Sequence, residues 1–286
     1  MQEDGLSAHI TASVDAALRE DVGGGDMTAG LIGTDAGARA VVLCREDAVL
    51  CGRAWFEQVF AALDESIRID WEAGDGDRLA PGAAVCTVQG PARPILTGER
   101  TALNFLQTLS GTATAAARHA AAVAHTSCRI LDTRKTIPGL RLAQKYAVRC
   151  GGAVNHRIGL FDAILIKENH VIACGGIAAA VSRAQTDNPS LPVEVEVENP
   201  DEVREALAAG ADRLLLDNFP LDALREAVSL TREAATGATL EASGGLELDQ
   251  IVAVAETGVD FVSVGALTKH LRAVDFSMRF RADADG

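Results

Sequence analysis

A chain of 286 residues, 48% hydrophobic and 23% charged, has the composition of an ordinary globular protein. It is long enough for one large domain, or for a large and a small one. A net charge of −14 at pH 7 excludes nucleic acid and anionic membranes as natural partners. Aromatic residues make up only 4%, so small apolar side chains must do the packing, which favours close helix-on-sheet contact.

No apolar run approaches the ~20 residues of a membrane span, and the N-terminus lacks a basic-then-apolar signal pattern. The six cysteines, Cys44, Cys51, Cys86, Cys128, Cys150 and Cys174, show no CxxC spacing and no paired histidines nearby. They read as reduced, buried thiols of a cytoplasmic protein with no structural zinc site.

In chain order, residues 7–20 have the apolar spacing of a helix (Ile10, Val14, Ala17, Leu18). DVGGGDMT at 21–28 stops it in a loop. Residues 38–51 read as strand and 53–63 as a helix built on Trp55, Phe56, Val59 and Phe60. Short strands at 67–71 and 83–90 flank the turn EAGDGD. An Ala-rich helix is expected over 98–125, with a break near Ser110-Gly111 and a buried stripe of Leu103, Leu106 and Leu109, with Phe105 at its edge. From Cys128 onward strands alternate with amphipathic helices: strands at 128–132, 162–167, 192–198, 212–217, 238–243 and 260–265. That rhythm means βαβ units and a parallel sheet, too few for a complete eight-stranded barrel but suited to an open, incomplete one. The fold class is therefore α/β: an open, incomplete β/α barrel with an N-terminal α+β domain. The expected division is 1–110 for the N-terminal domain and 111–270 for the barrel, with the tail at about 271–286 packing back on the former.

Residues 129–170 carry eight Lys/Arg and three Asp/Glu, a balance of +5 in a chain of −14. Arg134, Lys135, His156, Arg157 and Lys167 fall at strand ends or beside a short helix, not along one helix stripe. Gathered together they make a cationic pocket for a small, highly charged anion; guanidinium forks suit carboxylates and phosphates. The strands turn polar at their carboxyl ends, the face of a β/α barrel where chemistry sits: Asp132 to Lys135 with Thr133 among them, Lys167 to His170, Glu196 to Asn199, Asp217-Asn218, Ser243-Gly244-Gly245 and Val264-Gly265-Ala266. Glu196 and Asp217, single carboxylates ending adjacent strands, can hold a hydrated Mg²⁺ that also binds substrate phosphate. Glu194 and Glu198 share the parity of Glu196, and the residues alone leave the choice among the three open. The two late Gly turns offer backbone N–H groups to a terminal phosphate. A phosphate on Gly loops, a metal on carboxylates and a cationic pocket describe a site that joins a sugar phosphate to a multiply charged acid.

Nearly the whole chain resembles the quinolinate phosphoribosyltransferase family, through REDVGGGDMT, GPARPILTGERTALNFLQTLSGTAT, LDTRKTIPGLR, CGGAVNHRIGL, ILIKENH, VEVEVEN, LLLDN, EASGG and SVGALT. The resemblance implies a type II phosphoribosyltransferase fold with an N-terminal α/β sandwich. It implies a reaction of quinolinate with phosphoribosyl pyrophosphate and Mg²⁺ to give nicotinate mononucleotide, pyrophosphate and CO₂. It also implies a homodimer, open to further association into hexamers, in which Arg100 of one subunit completes the other's site. It assigns the quinolinate pocket to Arg134, Lys135, His156, Arg157 and Lys167 with Arg100 in trans. The metal and ribose carboxylates fall at Glu196 and Asp217, and the 5′-phosphate loops at Ser243 to Gly245 and Val264 to Ala266. Lys135, Lys167, Glu196 and Asp217 are the expected catalytic groups. Lys269 stands where the family usually has His, with His270 beside it. Three rival readings remain: a nicotinate phosphoribosyltransferase, a Schiff-base aldolase built on Lys167, and a non-catalytic paralogue that binds phosphorylated metabolites.

Overall fold

The computed structural model describes residues 3–281. Among the described residues the chain divides into two compact units that do not follow its order: those up to 117, 136–152 and those from 267 onward form the first, and residues 118–135 and 153–266 the second. The elements in order are α1 (Glu3–Val22), β1 (Gly37–Cys44), β2 (Ala48–Val49), α2 (Arg53–Leu63), β3 (Arg68–Trp71), β4 (Arg78–Leu79), β5 (Ala84–Pro91), α3 (Ala92–Ala122), β6 (Arg129–Leu131), α4 (Arg141–Cys150), β7 (Ile164–Ile166) and α5 (Glu168–Cys174). They continue with α6 (Ile177–Asp187), β8 (Val193–Val197), α7 (Pro200–Ala208), β9 (Arg213–Asp217), α8 (Leu221–Ala234), β10 (Thr239–Ser243), α9 (Leu248–Ala255), β11 (Phe261–Ser263), α10 (Ala266–Lys269) and β12 (Phe276–Arg281).

The first unit is an antiparallel sheet in the order β12-β1-β5-β3 with helices packed on it. β12 comes from the C-terminal tail and pairs with β1 from Arg39↔Arg281 to Cys44↔Phe276. Trp55, Phe56, Val59 and Phe60 are all buried on α2 and anchor its core. Phe56 meets Phe60 and Trp71 edge-on at 5.1 and 5.3 Å. Burying one such aromatic side chain contributes roughly 1.5–3 kcal/mol. α4 joins this unit because Ala143 and Ala147, four apart on one face, enter the same core. The span read as one strand at 38–51 is split into β1 and β2 by a turn at 45–47.

The helix expected from residue 98 with a break at Ser110-Gly111 is instead continuous from Ala92 to Ala122. Its small residues serve close contacts and do not break it. A Cβ on Gly111 would lie 2.4 Å from the Arg272 carbonyl oxygen, and one on Gly98 would lie 2.8 Å from Leu63. The Ser110 hydroxyl donates to the Cys51 carbonyl and accepts from the Cys51 N–H, at 3.1 and 2.9 Å.

The second unit is a six-stranded parallel sheet in the order β6-β11-β10-β9-β8-β7, flanked by helices. Among the described residues no ladder joins β6 to β7, so the barrel is open there. Val154 forms an isolated parallel bridge with Leu131, which lays the chain that follows along the free edge of β6. Side chains alternate across the sheet. Val193, Val195 and Val197, Leu214 and Leu216, and Leu240 and Ala242 are buried on the helix side. The opposite parity carries Glu194 and Glu196, Arg213 and Asp217, and Glu241 and Ser243. The strands are therefore not apolar up to their last residues, as their sequences suggested, because polar side chains continue down the inner face. Among the described residues no helix is long and apolar enough to cross a membrane.

Candidate active site

A cavity of ≈ 500 Å³ lies within the second unit at the carboxyl ends of its strands. It is lined by Thr133, Arg134 and Lys135 after β6, by His156 and Arg157 on the segment bridged to β6, and by Lys167 at the end of β7. Glu196, Asp217 and Ser243 line it from β8, β9 and β10. The predicted cationic groups and both predicted carboxylates thus converge on one space. Its floor holds Glu241 and Ser263, which sequence reasoning missed, and the apolar Leu165 and Leu215.

The loop carrying His156 and Arg157 is pinned from below. Asp132, fully buried, accepts the Asn155 amide at 2.7 Å through Oδ2 and the His156 backbone N–H at 2.8 Å through Oδ1. His156 Nε2 lies 3.0 Å from Glu194 Oε2 and 3.3 Å from Glu241 Oε2. The Arg157 backbone N–H donates to His156 Nδ1 at 2.7 Å. Burial disfavours a charged imidazole, yet the hydrogen bonds and charges of Glu194 and Glu241 raise its pKa to about 9. Burial pushes the Glu194 carboxyl up. Burial works against ionised Glu241 too, but His156, Ser263 and Arg213 hold its pKa below the usual value.

The Arg157 guanidinium donates to the Ala163 carbonyl at 3.3 Å. Burial, and then the nearby charge of Arg134, lower its pKa. Two guanidinium groups held close together repel unless an anion sits between them. Lys167 bonds to Glu196 across the cavity mouth, and the Lys167 N–H donates to His170 Nδ1 at 3.0 Å at the start of α5.

Of the three acids Glu194, Glu196 and Glu198, only Glu196 lines the cavity; Glu194 is buried beneath it on β8, and Glu198, just past the strand, is exposed. Asp217 Oδ2 accepts the Asn218 side-chain amide at 2.8 Å. Asn218 adopts a left-handed conformation (φ 56°) and its N–H bonds to the Ser243 carbonyl. Gly244, at φ 146°, is required there, because a Cβ would lie 2.8 Å from Asn218 Oδ1. As donors, Glu196 and Asp217 are hard carboxylate oxygens beside open space, which fits a hydrated Mg²⁺.

The expected phosphate loops are only partly at this cavity. Ser243 lines it and also joins Gly244 and Gly245 in lining a smaller one of ≈ 240 Å³. Val264 is buried with its N–H given to the Leu131 carbonyl. Gly265 makes room for Lys135, whose Cδ would be 3.1 Å from a Cβ there, and Ala266 opens α10. Lys269 and His270 are exposed and line none of these cavities. Arg100 lies in the first unit, where it lines a different groove with Asp26, Met27, Leu31 and Thr97. All six cysteines are free, but the expectation that all are buried fails, since Cys174 is exposed and Cys150 only half-buried.

Residues 26–110 and 112–279 match, in turn, the N-terminal and C-terminal domains described as quinolinate phosphoribosyl transferase. The chain belongs to the quinolinate phosphoribosyltransferase family. It is 40% identical over 260 residues, covering 91% of this chain and 89% of the relative, to a probable carboxylating nicotinate-nucleotide pyrophosphorylase of Bacillus subtilis. It is 43% identical over 239 residues, 82% of this chain and 83% of the other, to the carboxylating nicotinate-nucleotide pyrophosphorylase of Mycobacterium leprae. The solved structure of the nicotinate-nucleotide pyrophosphorylase from Francisella tularensis superposes with a TM-score of 0.91 at 46% identity, covering 96% of this chain and 97% of that one. The quinolinate phosphoribosyltransferase fold accounts for both units described above, the antiparallel sheet with its helices and the open parallel barrel.

Proposed function

We propose that this protein transfers the phosphoribosyl group of phosphoribosyl pyrophosphate to the ring nitrogen of quinolinate and releases CO₂, giving nicotinate mononucleotide and pyrophosphate in NAD biosynthesis. The observation that carries this is the convergence of Arg134, Arg157 and Lys167 on the same cavity as Glu196 and Asp217. Fixed cations gather two polyanions that otherwise repel, at a carboxylate pair suited to the sugar.

In this reading the basic groups hold the quinolinate carboxylates and set the ring nitrogen facing the anomeric carbon. The carbon–oxygen bond to pyrophosphate breaks as the carbon–nitrogen bond forms. Charge builds on the ribose ring in an oxocarbenium-like transition state, which Glu196 and Asp217 favour electrostatically. The alkylated ring nitrogen is cationic, so it accepts the electron pair of the adjacent carbon–carboxylate bond as CO₂ leaves, and a proton takes its place. Glu196 and Asp217 would hold Mg²⁺, which when bound neutralises charge on the pyrophosphate.

Arg100 acts in this reading on the cavity of the other subunit of a homodimer. Its groove carries Met27 and Leu31, which are 84% and 85% exposed, an apolar surface of the kind another chain covers. The unbridged cysteines suit the reducing cytoplasm. Lys167 is paired with Glu196 and half exposed, not desolvated as a Schiff-base lysine requires. The number of basic groups exceeds the needs of a monoacid such as nicotinate. Incubation with quinolinate, phosphoribosyl pyrophosphate and Mg²⁺ tests the assignment. Nicotinate mononucleotide and CO₂ should appear in equal amounts, and absence of both rules it out.

A further inference from the structure

We propose that Cys51 and Cys150, both in the first unit, form a reversible disulfide when the protein meets a hydroperoxide, with Cys150 attacking first and Cys51 resolving it. The inference stands apart from the reaction proposed above.

Cys51 follows β2 and Cys150 ends α4. Their Sγ atoms and a carboxylate oxygen of Asp75 all lie within 4.8 Å of one another, and the two thiols share a hydrogen bond. The surrounding backbone holds the group together. Ser110 pins Cys51 through its N–H and its carbonyl, at 2.9 and 3.1 Å. The turn that carries Asp75 is tied to Leu50, whose carbonyl accepts the Gly76 N–H at 2.8 Å and whose N–H donates to the Asp77 carbonyl at 2.9 Å. Asp75 Oδ1 accepts the N–H groups of Gly52 and Arg53 at 3.0 and 3.2 Å, and Oδ2 accepts the Tyr146 hydroxyl at 2.8 Å. Both carboxylate oxygens are thus occupied, which leaves the sulfurs as the reactive pair and favours dithiol chemistry over a metal ion.

The two sulfurs are not equivalent. Cys51 is fully buried, and burial pushes its thiol well up, so it keeps its proton and donates it to Cys150. Cys150 is half-buried; the hydrogen bond from Cys51 lowers its pKa against the effect of burial, and the charge of Arg149 acts in the same direction. Burial instead pushes up the thiols of Cys44, Cys86 and Cys128. The thiolate is the nucleophile, so Cys150 is the sulfur that meets hydrogen peroxide. Its S–O bond forms as the O–O bond breaks. The sulfur is oxidised to a sulfenic acid, and the other peroxide oxygen leaves as water with the proton that Cys150 released. The Cys51 sulfur then attacks this sulfenic acid. The S–S bond forms, the S–O bond breaks, and the Cys51 proton leaves with the hydroxide as a second water. A dithiol reductant reverses the link, and capture by Cys51 spares Cys150 from irreversible sulfinic acid.

The test treats the reduced, folded protein with hydrogen peroxide, alkylates the remaining thiols and maps the tryptic peptides. Residues 46–53 and 150–157 form tryptic peptides with one cysteine each, so the link is read without ambiguity. Most of the 150–157 peptide should be joined to 46–53, lighter by two hydrogen atoms than the separate pair, and dithiothreitol should release both. In the untreated protein, iodoacetamide should modify Cys150 at least about tenfold faster than Cys51. Cys51→Ser should trap Cys150 as a sulfenic acid that dimedone labels and that goes on to sulfinic acid, whereas Cys150→Ser should leave Cys51 a thiol. Three results overturn the proposal: Cys150 reaching sulfinic acid in the wild type while Cys51 stays a thiol, either cysteine pairing with a different one, or the link arising only after unfolding in urea. Because the wild-type protein carries the main readout, a variant that fails to fold leaves the decision intact.

Discussion

Lys167 at the end of β7 and Glu196 on neighbouring β8 are bonded to each other across the mouth of the cavity. The cation proposed for the substrate acid and the carboxylate proposed for the metal therefore neutralise one another before either ligand arrives. Each ligand must part the pair, and the first to do so leaves the other group free. Quinolinate binding and Mg²⁺ binding should therefore be positively coupled. In calorimetry, chelating Mg²⁺ should weaken quinolinate binding by about 1 kcal/mol, roughly fivefold. Identical affinity with and without the ion would break the link drawn here.

Arg157 is lowered in pKa by burial and by the charge of Arg134, so its guanidinium is held in place at a cost that an anion relieves. Arg157→Ala should remove about 2–5 kcal/mol of transition-state stabilisation, read as a fall in kcat/KM for quinolinate. Near-normal kcat/KM would show that the anion sits elsewhere.

Arg100 and Lys167 line different grooves, one in each unit. If Arg100 serves the partner's cavity, Arg100→Ala and Lys167→Ala proteins are each inactive, yet mixing them restores activity. Random subunit exchange should recover up to about a quarter of wild-type activity per site, because half of the subunits in mixed dimers regain one intact site and half of the dimers are mixed. Complete failure after demonstrated exchange would rule out the shared site.

Gly111 lies inside unbroken α3, against the backbone of Arg272. Gly111→Ala improves helix propensity by up to ~1 kcal/mol, but its Cβ would be only 2.4 Å from a carbonyl oxygen. The clash should win, with a net loss on the order of 1–3 kcal/mol. Urea unfolding of the two proteins measures it; a more stable Ala variant would show that helix propensity outweighs the close approach.

Much of the barrel was legible in the chain because its signals are local. Strand–helix alternation after Cys128, the turn to polarity at Lys167 and Asp217, and the concentration of Arg and Lys between 129 and 170 all survive in one dimension. Three kinds of fact were not. Gly111 looked like a helix break, since the carbonyl that demands a glycine comes from more than 160 residues later in the chain. α4 sits in sequence between two barrel strands but contributes Ala143 and Ala147 to the first unit's core. Glu241 stands in the sequence as a lone acid in an otherwise apolar strand. A lone Glu at inward parity was the available signal, and its meaning depends on His156 and Glu194 arriving from elsewhere.

The residues by themselves determined which chemistry is possible: a cationic cluster, a carboxylate pair and an α/β rhythm, each encoded by neighbours in the chain. Tertiary structure showed Glu196 facing the cavity, as the family resemblance implied, and alone decided that both nitrogens of His156 meet protein groups and that Lys167 and Glu196 meet. Those are relations between strands. A strand's sequence specifies which of its side chains share a face, whereas the partner each one meets across that face is set only when the sheet assembles in register.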